Sequence, residues 1–280
     1  MMKKLLVLLL ALLTVATLAA CSNKEKDPDN MDDYKQKDIV YNSWPREGDS
    51  IFYFESIDSD SVTITGYKGP TEPHDIVIPQ TVQLNDDAAT STRNVTAIAD
   101  DAFYAVASIE KVVIPEGITS IGNYAFAKCA QLTTVVFPST IETIGQGAFV
   151  DCGLTELNFP ASCGLTKIEP STFRNCMQLT EVTIPGYITT VGEGAFFNCQ
   201  SITKIVISEG VELIEKQAFQ DTRALEHLEL PASLTNTDPM EDLAFSGSEV
   251  LYRENIICPE DSAAEAYADN MVLSPRPEGE

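Results

Sequence analysis

A phrase of about 23 residues repeats through most of this chain and constrains its fold more than any other feature. Its most recognisable part is an alanine or threonine followed by a phenylalanine. The phenylalanine recurs at seven positions: Phe103, Phe126, Phe149, Phe173, Phe196, Phe219 and Phe245. The intervals are 23, 23, 24, 23, 23 and 26 residues. A fixed period of this length is typical of a solenoid, in which each coil buries its apolar face only against its neighbours.

Each repeat also contains a run with alternating apolar positions, and most of these runs end in proline. The runs are Ile109–Pro115, Leu132–Pro138, Leu154–Pro160, Leu179–Pro185, Ile202–Ser208 and Leu225–Pro231. Alternation rich in Val, Ile and Thr predicts a short strand, and proline ends it because it has no amide hydrogen to donate. A second apolar pair, such as Ile141 and Ile144, and a glycine follow. The Ala-Phe segment then predicts one turn of helix.

Residues 46–75 precede the repeats and do not follow the repeat pattern. Two β-rich runs, Ile51–Phe54 and Val62–Thr65, flank a turn-forming Asp-Ser-Asp-Ser segment that begins at Asp58. This pattern predicts a hairpin that covers the open end of the solenoid. The Asp-x-Asp spacing also resembles a calcium loop. However, Thr63 and Gly69 stand where an EF-hand needs glycine and glutamate, so the turn is our interpretation.

Both ends of the repeat array, which we place at residues 76–258, depart from the pattern. The first repeat is degenerate, and it contains a polar insertion over 83–94 for which we expect a loop on the solenoid's flank. After the last repeat, Ser262 and Glu265 have the spacing of a capping box. Residues 259–280 are therefore predicted to be a short closing helix and a tail.

The first 20 residues have the features of an export signal. Lys3 and Lys4 precede an apolar run that ends in Leu-Ala-Ala-Cys at Cys21. The run is shorter than the ~20 residues that a membrane-spanning helix needs. Its end resembles the bacterial lipobox, which implies acylation of Cys21, and Ser22 resembles the residue that directs lipoproteins to the outer membrane. The alternative is a plain secretory signal cleaved nearby. Residues 21–45 are polar and acidic, which predicts a flexible tether.

The charge of the chain limits its partners. It has 42 acidic and 18 basic residues, a net charge of −24. Removal of residues 1–20 would also remove Lys3 and Lys4, which changes the net charge to −24 − 2 = −26. Nucleic-acid binding depends on neutralising phosphates with Lys and Arg, so this function class is excluded. Acidity does not by itself indicate a basic partner, because it also confers solubility.

The repeat resembles the BspA-type leucine-rich repeat, whose pattern is C-x-x-L-x-x-I-x-I-P-x-x-V-x-x-I-G-x-x-A-F. The resemblance covers residues 76–259. It implies an α/β, mostly β, right-handed leucine-rich-repeat solenoid with a parallel strand ladder on its concave side. It also implies a cell-surface protein of host-associated bacteria that acts in adhesion or protein binding. The asparagine that follows the strand in most leucine-rich repeats is absent, and we expect the proline to shape this turn in part.

Four cysteines lie three residues after a ladder phenylalanine, which places them in a straight row along the solenoid. They are Cys129, Cys152, Cys176 and Cys199. Zinc needs a tetrahedron that a row cannot supply, and stacked Cβ atoms run parallel where a disulfide needs them to converge. Buried free thiols that pack as small apolar groups are our prediction, since threonine and serine take this place in later repeats. Cys163 lies in an insertion and has no assigned partner.

No pattern in the sequence indicates catalysis or a cofactor. The Gly-x-Gly pairs that begin at Gly145 and Gly192 lack the third glycine of a dinucleotide loop, and they recur at one repeat position, as turns do. His74 and His227 are far apart in sequence, and no motif places either beside a nucleophile and an orienting acid. For His227 we expect a solvent-exposed position on a strand. We predict no enzyme activity, no cofactor and no metal.

The outward positions of the strands form the candidate binding surface on the concave side. The residues concerned are Lys111, Val113, Thr134, Val136, Glu156, Asn158, Glu181, Thr183, Lys204 and Val206. Exposed valines favour a partner over water, and the absence of aromatic residues from these rows favours a protein over a glycan. The alternative is that Thr and Val merely suit exposed strands. Our main hypothesis is a protein-binding module, the second is a rigid spacer, and an enzyme is third.

Overall fold

The computed structural model describes residues 51–86, 89–236, 243–248 and 250–271. The predicted signal peptide, Cys21 and the tether lie outside the described residues. Residues 237–242 of the enlarged last repeat and the tail, residues 272–280, also lie outside them.

Short strands make up most of the regular structure in the described ranges. They are β1 (Ile51–Ser56), β2 (Ser61–Lys68), β3 (His74–Val77), β4 (Thr81–Asp86), β5 (Ala89–Ile98), β6 (Ile109–Val113), β7 (Ser120–Ile121), β8 (Thr134–Val136), β9 (Thr143–Ile144), β10 (Lys167–Ile168), β11 (Glu181–Ile184), β12 (Thr190–Val191), β13 (Lys204–Ile207), β14 (Leu213–Ile214), β15 (His227–Glu229) and β16 (Ile256–Ile257). A 3-10 turn spans Arg253–Asn255, and the helix α1 spans Ala263–Asp269.

The predicted N-terminal hairpin is present and is formed by β1 and β2. The Oδ1 atom of Asp58 accepts hydrogen bonds from the amides of Asp60 and Ser61, each at 2.8 Å. These bonds hold the pKa of the Asp58 carboxyl below its ordinary value. The carboxylate therefore closes the turn.

The loop predicted over residues 83–94 is wrong, because this segment is a second hairpin. Strands β4 and β5 pair antiparallel from Thr81 opposite Asn94 to Asp86 opposite Ala89. The rest of β5 also pairs in parallel with β2. A hairpin pairs the backbone groups of its two strands with each other, so this polar segment forms strands without the apolar alternation that we required of a strand.

Two columns of parallel strands run along the repeats. The first column joins β3, β6 and β8 in one sheet and β11, β13, β15 and β16 in another. The second column joins β5, β7 and β9 and, separately, β10, β12 and β14. At the end of the second column, the side chain of Asn236 takes the place of a strand. Its Oδ1 accepts from the Ile214 amide at 2.8 Å, and its Nδ2 donates to the Ile214 carbonyl at 2.7 Å.

The Ala-Phe segments form a third column. The predicted turn of helix is wrong, because these segments are non-helical turns. In the second coil, Tyr124 and Lys128 have left-handed φ angles of 54° and 62°. Pairs of residues with left-handed φ angles, four residues apart, recur from coil to coil. The amides of Tyr124 and Phe126 donate to the carbonyls of Gln146 and Ala148 at 2.9 and 2.8 Å. A helix would direct these amides along its own chain, whereas the left-handed residues turn them towards the next coil.

Side chains bond to the backbone of adjacent coils where the leucine-rich-repeat asparagine is absent. The Oε1 atom of Glu116 accepts from the Ser139 amide at 2.9 Å, and that of Glu209 accepts from the Ala232 amide at 2.7 Å. The Ser139 bonds hold the pKa of Glu116 below its ordinary value. Glutamates that follow the strand therefore contribute to the shaping that we had assigned to proline.

The core is organised around the seven ladder phenylalanines, as predicted. Neighbouring rings stack with centroids 4.6–5.6 Å apart and planes within 2–16° of parallel. The N-terminal hairpin continues this stack, because the ring of Tyr67 lies 5.3 Å from that of Phe103. At the other end the Oγ atom of Ser262 accepts from the Glu265 amide at 3.1 Å, which caps α1 as predicted.

Candidate binding surface

The outward side chains of the first strand column form two rows, which we call the strand face. The inner row holds Asp75, Lys111, Thr134, Glu156, Glu181, Lys204 and His227. The outer row holds Val77, Val113, Val136, Asn158, Thr183, Val206, Glu229 and Ile257. Pairing in register aligns Asp75, Lys111 and Thr134 at one end and Glu181, Lys204 and His227 at the other. All ten candidate residues are exposed or half-buried on this face.

Three valines form an apolar cluster at the N-terminal end of the strand face. Val77, Val113 and Val136 are in direct register, and Val77 and Val136 are 66% and 42% exposed. Asn158 and Thr183 separate Val206 from this cluster. Val77 was missing from the predicted site because its repeat is degenerate, although Ile76-Val77-Ile78-Pro79 carries the strand signal.

Four of the six runs have a threonine at their second position, and each of these threonines bonds to the preceding coil. Thr133 Oγ1 donates to the Glu110 carbonyl at 3.1 Å, and Thr203 Oγ1 donates to the Thr180 carbonyl at 3.3 Å. Their hydroxyl groups therefore already have partners within the solenoid. This row supports the first strand column alongside the backbone bonds.

Charged residues pair with one another at the C-terminal end of the strand face. Glu229 lies 2.8 Å from Nε2 of His227 and 3.5 Å from Nζ of Lys204. The hydrogen bond from His227, together with the charge of Lys204, holds the pKa of the Glu229 carboxyl below its ordinary value. His227 is half-buried and bound to Glu229, whereas the sequence predicted simple solvent exposure.

The first column is interrupted at Leu154–Pro160, where the predicted strand is absent. Strands β8 and β11 end their sheets on either side of this run. One residue fewer separates Cys152 from Leu154 than separates the corresponding residues of neighbouring repeats, and Cys163-Gly164 is inserted after the run. The chain also passes close to the preceding coil at this link. A Cβ atom at Gly153 would lie 2.3 Å from the Ala130 carbonyl oxygen.

A groove of about 430 Å³ lies at this interruption. Residues 155–161 line one side, and Thr180, Glu181, Thr183 and Pro185 line the other. Glu156 accepts hydrogen bonds from Thr134 and Asn158, each at 3.4 Å. The interruption thus brings four of the predicted site residues, Glu156, Asn158, Glu181 and Thr183, to one groove.

The four stacked cysteines are buried free thiols, as predicted. Each donates to the carbonyl of a ladder phenylalanine in the preceding coil; Cys129, for example, lies 3.2 Å from the Phe103 oxygen. Burial raises the pKa of Cys152 and Cys176 well above the ordinary value and that of Cys199 to about 12. Such thiols remain protonated and unreactive at neutral pH. Over the described ranges, no group of three or more His, Cys, Asp or Glu residues could hold a metal ion.

The columns and the strand face define a leucine-rich-repeat solenoid. A model of the BspA type leucine rich repeat region matches residues 85–177 and 166–261, which together exceed half of the chain. The chain therefore belongs to the BspA-type leucine-rich-repeat family. Proteins with such repeats are typically binding modules, and those of this type are typically exposed at the cell surface.

Solved structures of other leucine-rich-repeat proteins resemble this chain. The T. pallidum leucine rich repeat protein is 22% identical with a TM-score of 0.47, and the match covers 66% of this chain and 91% of that protein. The pneumococcal vaccine antigen PcpA is 19% identical with a TM-score of 0.47, over 80% of this chain and 50% of that protein. A Bacteroides ovatus leucine-rich-repeat protein is 16% identical with a TM-score of 0.33, over 78% and 91%.

A comparison with curated protein sequences returned no match. Within the part of the chain that the structure describes, no helix has the length and apolarity required to cross a membrane.

Proposed function

We propose that this chain is a cell-surface protein-binding module, anchored through a lipid on Cys21, that recognises its partner with the strand face. The observation that carries this proposal is the cluster of Val77, Val113 and Val136. Three neighbouring valines on an exposed sheet leave apolar area in water, and contact with a partner would remove it.

The surroundings of the valine cluster suit a protein partner. Lys111 and Thr134 occupy the adjacent row, so the apolar cluster has a polar border, as protein interfaces commonly have. The strand face has no aromatic side chain on which a sugar ring could stack. The net charge of −24 disfavours nucleic acid.

The contacts of the potential catalytic groups favour binding over catalysis. The Nε2 atom of His74 bonds to the Tyr67 hydroxyl at 2.7 Å, and that of His227 bonds to Glu229 at 2.8 Å. Burial keeps the thiols of Cys152 and Cys176 protonated. Among the described residues, neither histidine forms a hydrogen bond with the side chain of a serine, threonine or cysteine, and a hydrolase triad would need one.

The binding proposal is tested with the exported protein, two strand-face variants and one control. Val136→Glu places a charge in the valine cluster, and Lys204→Glu reverses a charge at the other end. The control, Glu212→Lys, reverses an exposed charge beside the second strand column. Immobilised extracellular-matrix proteins and the surfaces of neighbouring bacteria serve as targets. We expect the two strand-face variants to lose capture while remaining folded. Equal capture by all variants would instead support a rigid spacer.

The anchor is tested separately by Cys21→Ala. We expect the unaltered protein to incorporate labelled fatty acid and to enter the outer-membrane fraction. The variant lacks the thiol, so it should lose the label and leave the membrane fraction. Unchanged labelling and fractionation would contradict the assignment of Cys21.

A further inference from the structure

The interrupted first column contains an opening that is bounded at both ends. At one end, Thr180 Oγ1 donates to the Thr155 carbonyl at 3.5 Å. At the other end, the hydroxyl of Tyr187 donates to the Pro160 carbonyl at 2.6 Å. Between these bonds, no hydrogen bond joins residues 156–159 to β11 within the described ranges. The opening therefore spans a segment about as long as an ordinary strand.

The contact between coils at Tyr187 differs from the contacts at the equivalent repeat positions. In the third coil, Thr140 occupies the equivalent place, and its Oγ1 donates to the Ile118 carbonyl of the preceding coil at 2.8 Å. Ser233 makes the corresponding bond to the Val211 carbonyl at 2.8 Å. Tyr187 instead donates to the carbonyl of Pro160, at the end of the run that is not a strand.

The backbone at this opening has unused pairing capacity. Strand β11 pairs with β13 on one side, and no strand of the described residues pairs with its other side. Such an edge carries a row of amide and carbonyl groups, and an extended peptide can pair with them. The groove of about 430 Å³ beside this edge falls within the ~300–1,000 Å³ of typical ligand sites.

The charge of the groove selects among extended peptides. Glu156 and Glu181 lie on opposite sides of it, and both are exposed. Lys204, which is adjacent to Glu181 in the strand register, pairs with Glu229 instead. No ion pair involves Glu156 or Glu181 in the described part of the chain. The two carboxylates are therefore available to a cation from outside the solenoid.

We propose that the groove between Leu154–Pro160 and β11 binds an extended peptide segment that carries a lysine or arginine. The peptide backbone pairs with the edge of β11, and its basic side chain contacts Glu156 and Glu181. This proposal rests on the strand face being a binding surface, and it adds the segment class that the face recognises. It concerns a different part of the face from the valine cluster, so the two can be tested separately.

The test uses three synthetic eight-residue probes and the exported protein in mild detergent. The first probe alternates threonine with lysine, and the second replaces each lysine by glutamate. The third is the threonine-lysine peptide methylated on every backbone amide, which removes the donors of both strand edges while keeping the charge. Fluorescence anisotropy measures their dissociation constants. We expect binding of the first probe, at least fivefold weaker binding of the methylated probe, and no binding of the glutamate probe.

Variants identify the groove as the place of binding. The double variant Glu156→Gln with Glu181→Gln removes both charges with little change in shape, and it should raise the dissociation constant of the first probe at least fivefold. Glu110→Gln is the control, since Glu110 is an exposed carboxylate in another coil and does not line the groove. Equal binding of the methylated probe would overturn strand pairing. If Glu110→Gln weakens binding of the first probe as much as the double variant does, the effect comes from the overall negative charge and the assigned site is wrong.

The two proposals fail in different ways. If a protein target is captured in a manner that depends on Val136 and no peptide binds, the proposal of a binding module stands and the proposal of a peptide-binding groove is refuted. Binding of the glutamate probe as tightly as the lysine probe would refute the basic ligand class. If no target depends on Val136 or Lys204 and the peptide also fails to bind, both proposals fall.

Discussion

Replacement of Phe149 by alanine tests the stacked core most directly. The ring is fully buried, and it stacks on Phe126 at 5.3 Å and on Phe173 at 5.6 Å. The edge of Phe137 also approaches it, at 5.7 Å. Burial of such a ring stabilises by roughly 1.5–3 kcal/mol, and each aromatic contact adds roughly 0.5–1.5 kcal/mol. With the cavity that remains, Phe149→Ala should lower the free energy of unfolding by about 3–5 kcal/mol.

Phe197 supplies the matched control for this experiment. It is half-buried in the third column, and its ring lies 4.2 Å from the guanidinium carbon of Arg174. Phe197→Ala should cost less than Phe149→Ala, because the ring loses less buried area. Urea unfolding followed by circular dichroism measures both variants. The denaturant slope must also be compared, since repeat arrays can lose two-state behaviour. A loss under about 1 kcal/mol for Phe149→Ala would refute the argument that stacked rings hold the coils together.

Four further predictions concern two thiols and the C-terminal end of the repeat array. Cys163, which is half-buried, should react with a thiol reagent at neutral pH before the buried Cys199 does, as mass spectrometry of labelled peptides can show. Burial raises the pKa of Cys199 from 9.0 to about 12, so its contribution to stability is complete below pH 9 and is lost as pH rises towards 12. Between pH 9 and pH 12, the free energy of unfolding should therefore fall less steeply in Cys199→Ala than in the unaltered protein. Asn236→Leu removes both side-chain bonds to Ile214 and should cost about 1–3 kcal/mol in thermal unfolding, whereas an unchanged midpoint would contradict a capping role. Ser262→Ala removes the cap of α1 and should cost about 0.5–2 kcal/mol, while Ser262→Asp should restore most of it.

The period of the phenylalanines was sufficient to predict the core. A side chain that recurs every 23 residues meets its own copies when coils stack, so Phe126 and Phe149 could be placed in contact without coordinates. The cysteine row followed from the same period, and so did the alternation that directs Lys111 and Val113 outward. These features depend on pattern alone, because each coil packs only on its neighbours.

Features that depend on how one coil approaches the next required the tertiary structure. The run Leu154–Pro160 has the same alternation as its neighbours, yet it is not a strand, since the short link after Cys152 and the insertion at Cys163 disturb its pairing. The left-handed residues of the third column carry only a partial sequence signal, because Gly147, Asn175 and Asp221 favour positive φ whereas Tyr124 and Lys128 do not. Their conformation is selected by the carbonyl groups of the next coil.

The sequence by itself determined the repeat, the buried ring stack and the identity of the outward rows, because all three follow from periodicity. The tertiary structure decided where the strand column opens, that Tyr187 closes one end of that opening, and that Glu156 and Glu181 face one groove. The physical reason is that hydrogen bonding between coils depends on how their backbone groups are placed relative to one another, which small differences in link length alter while the apolar pattern stays the same.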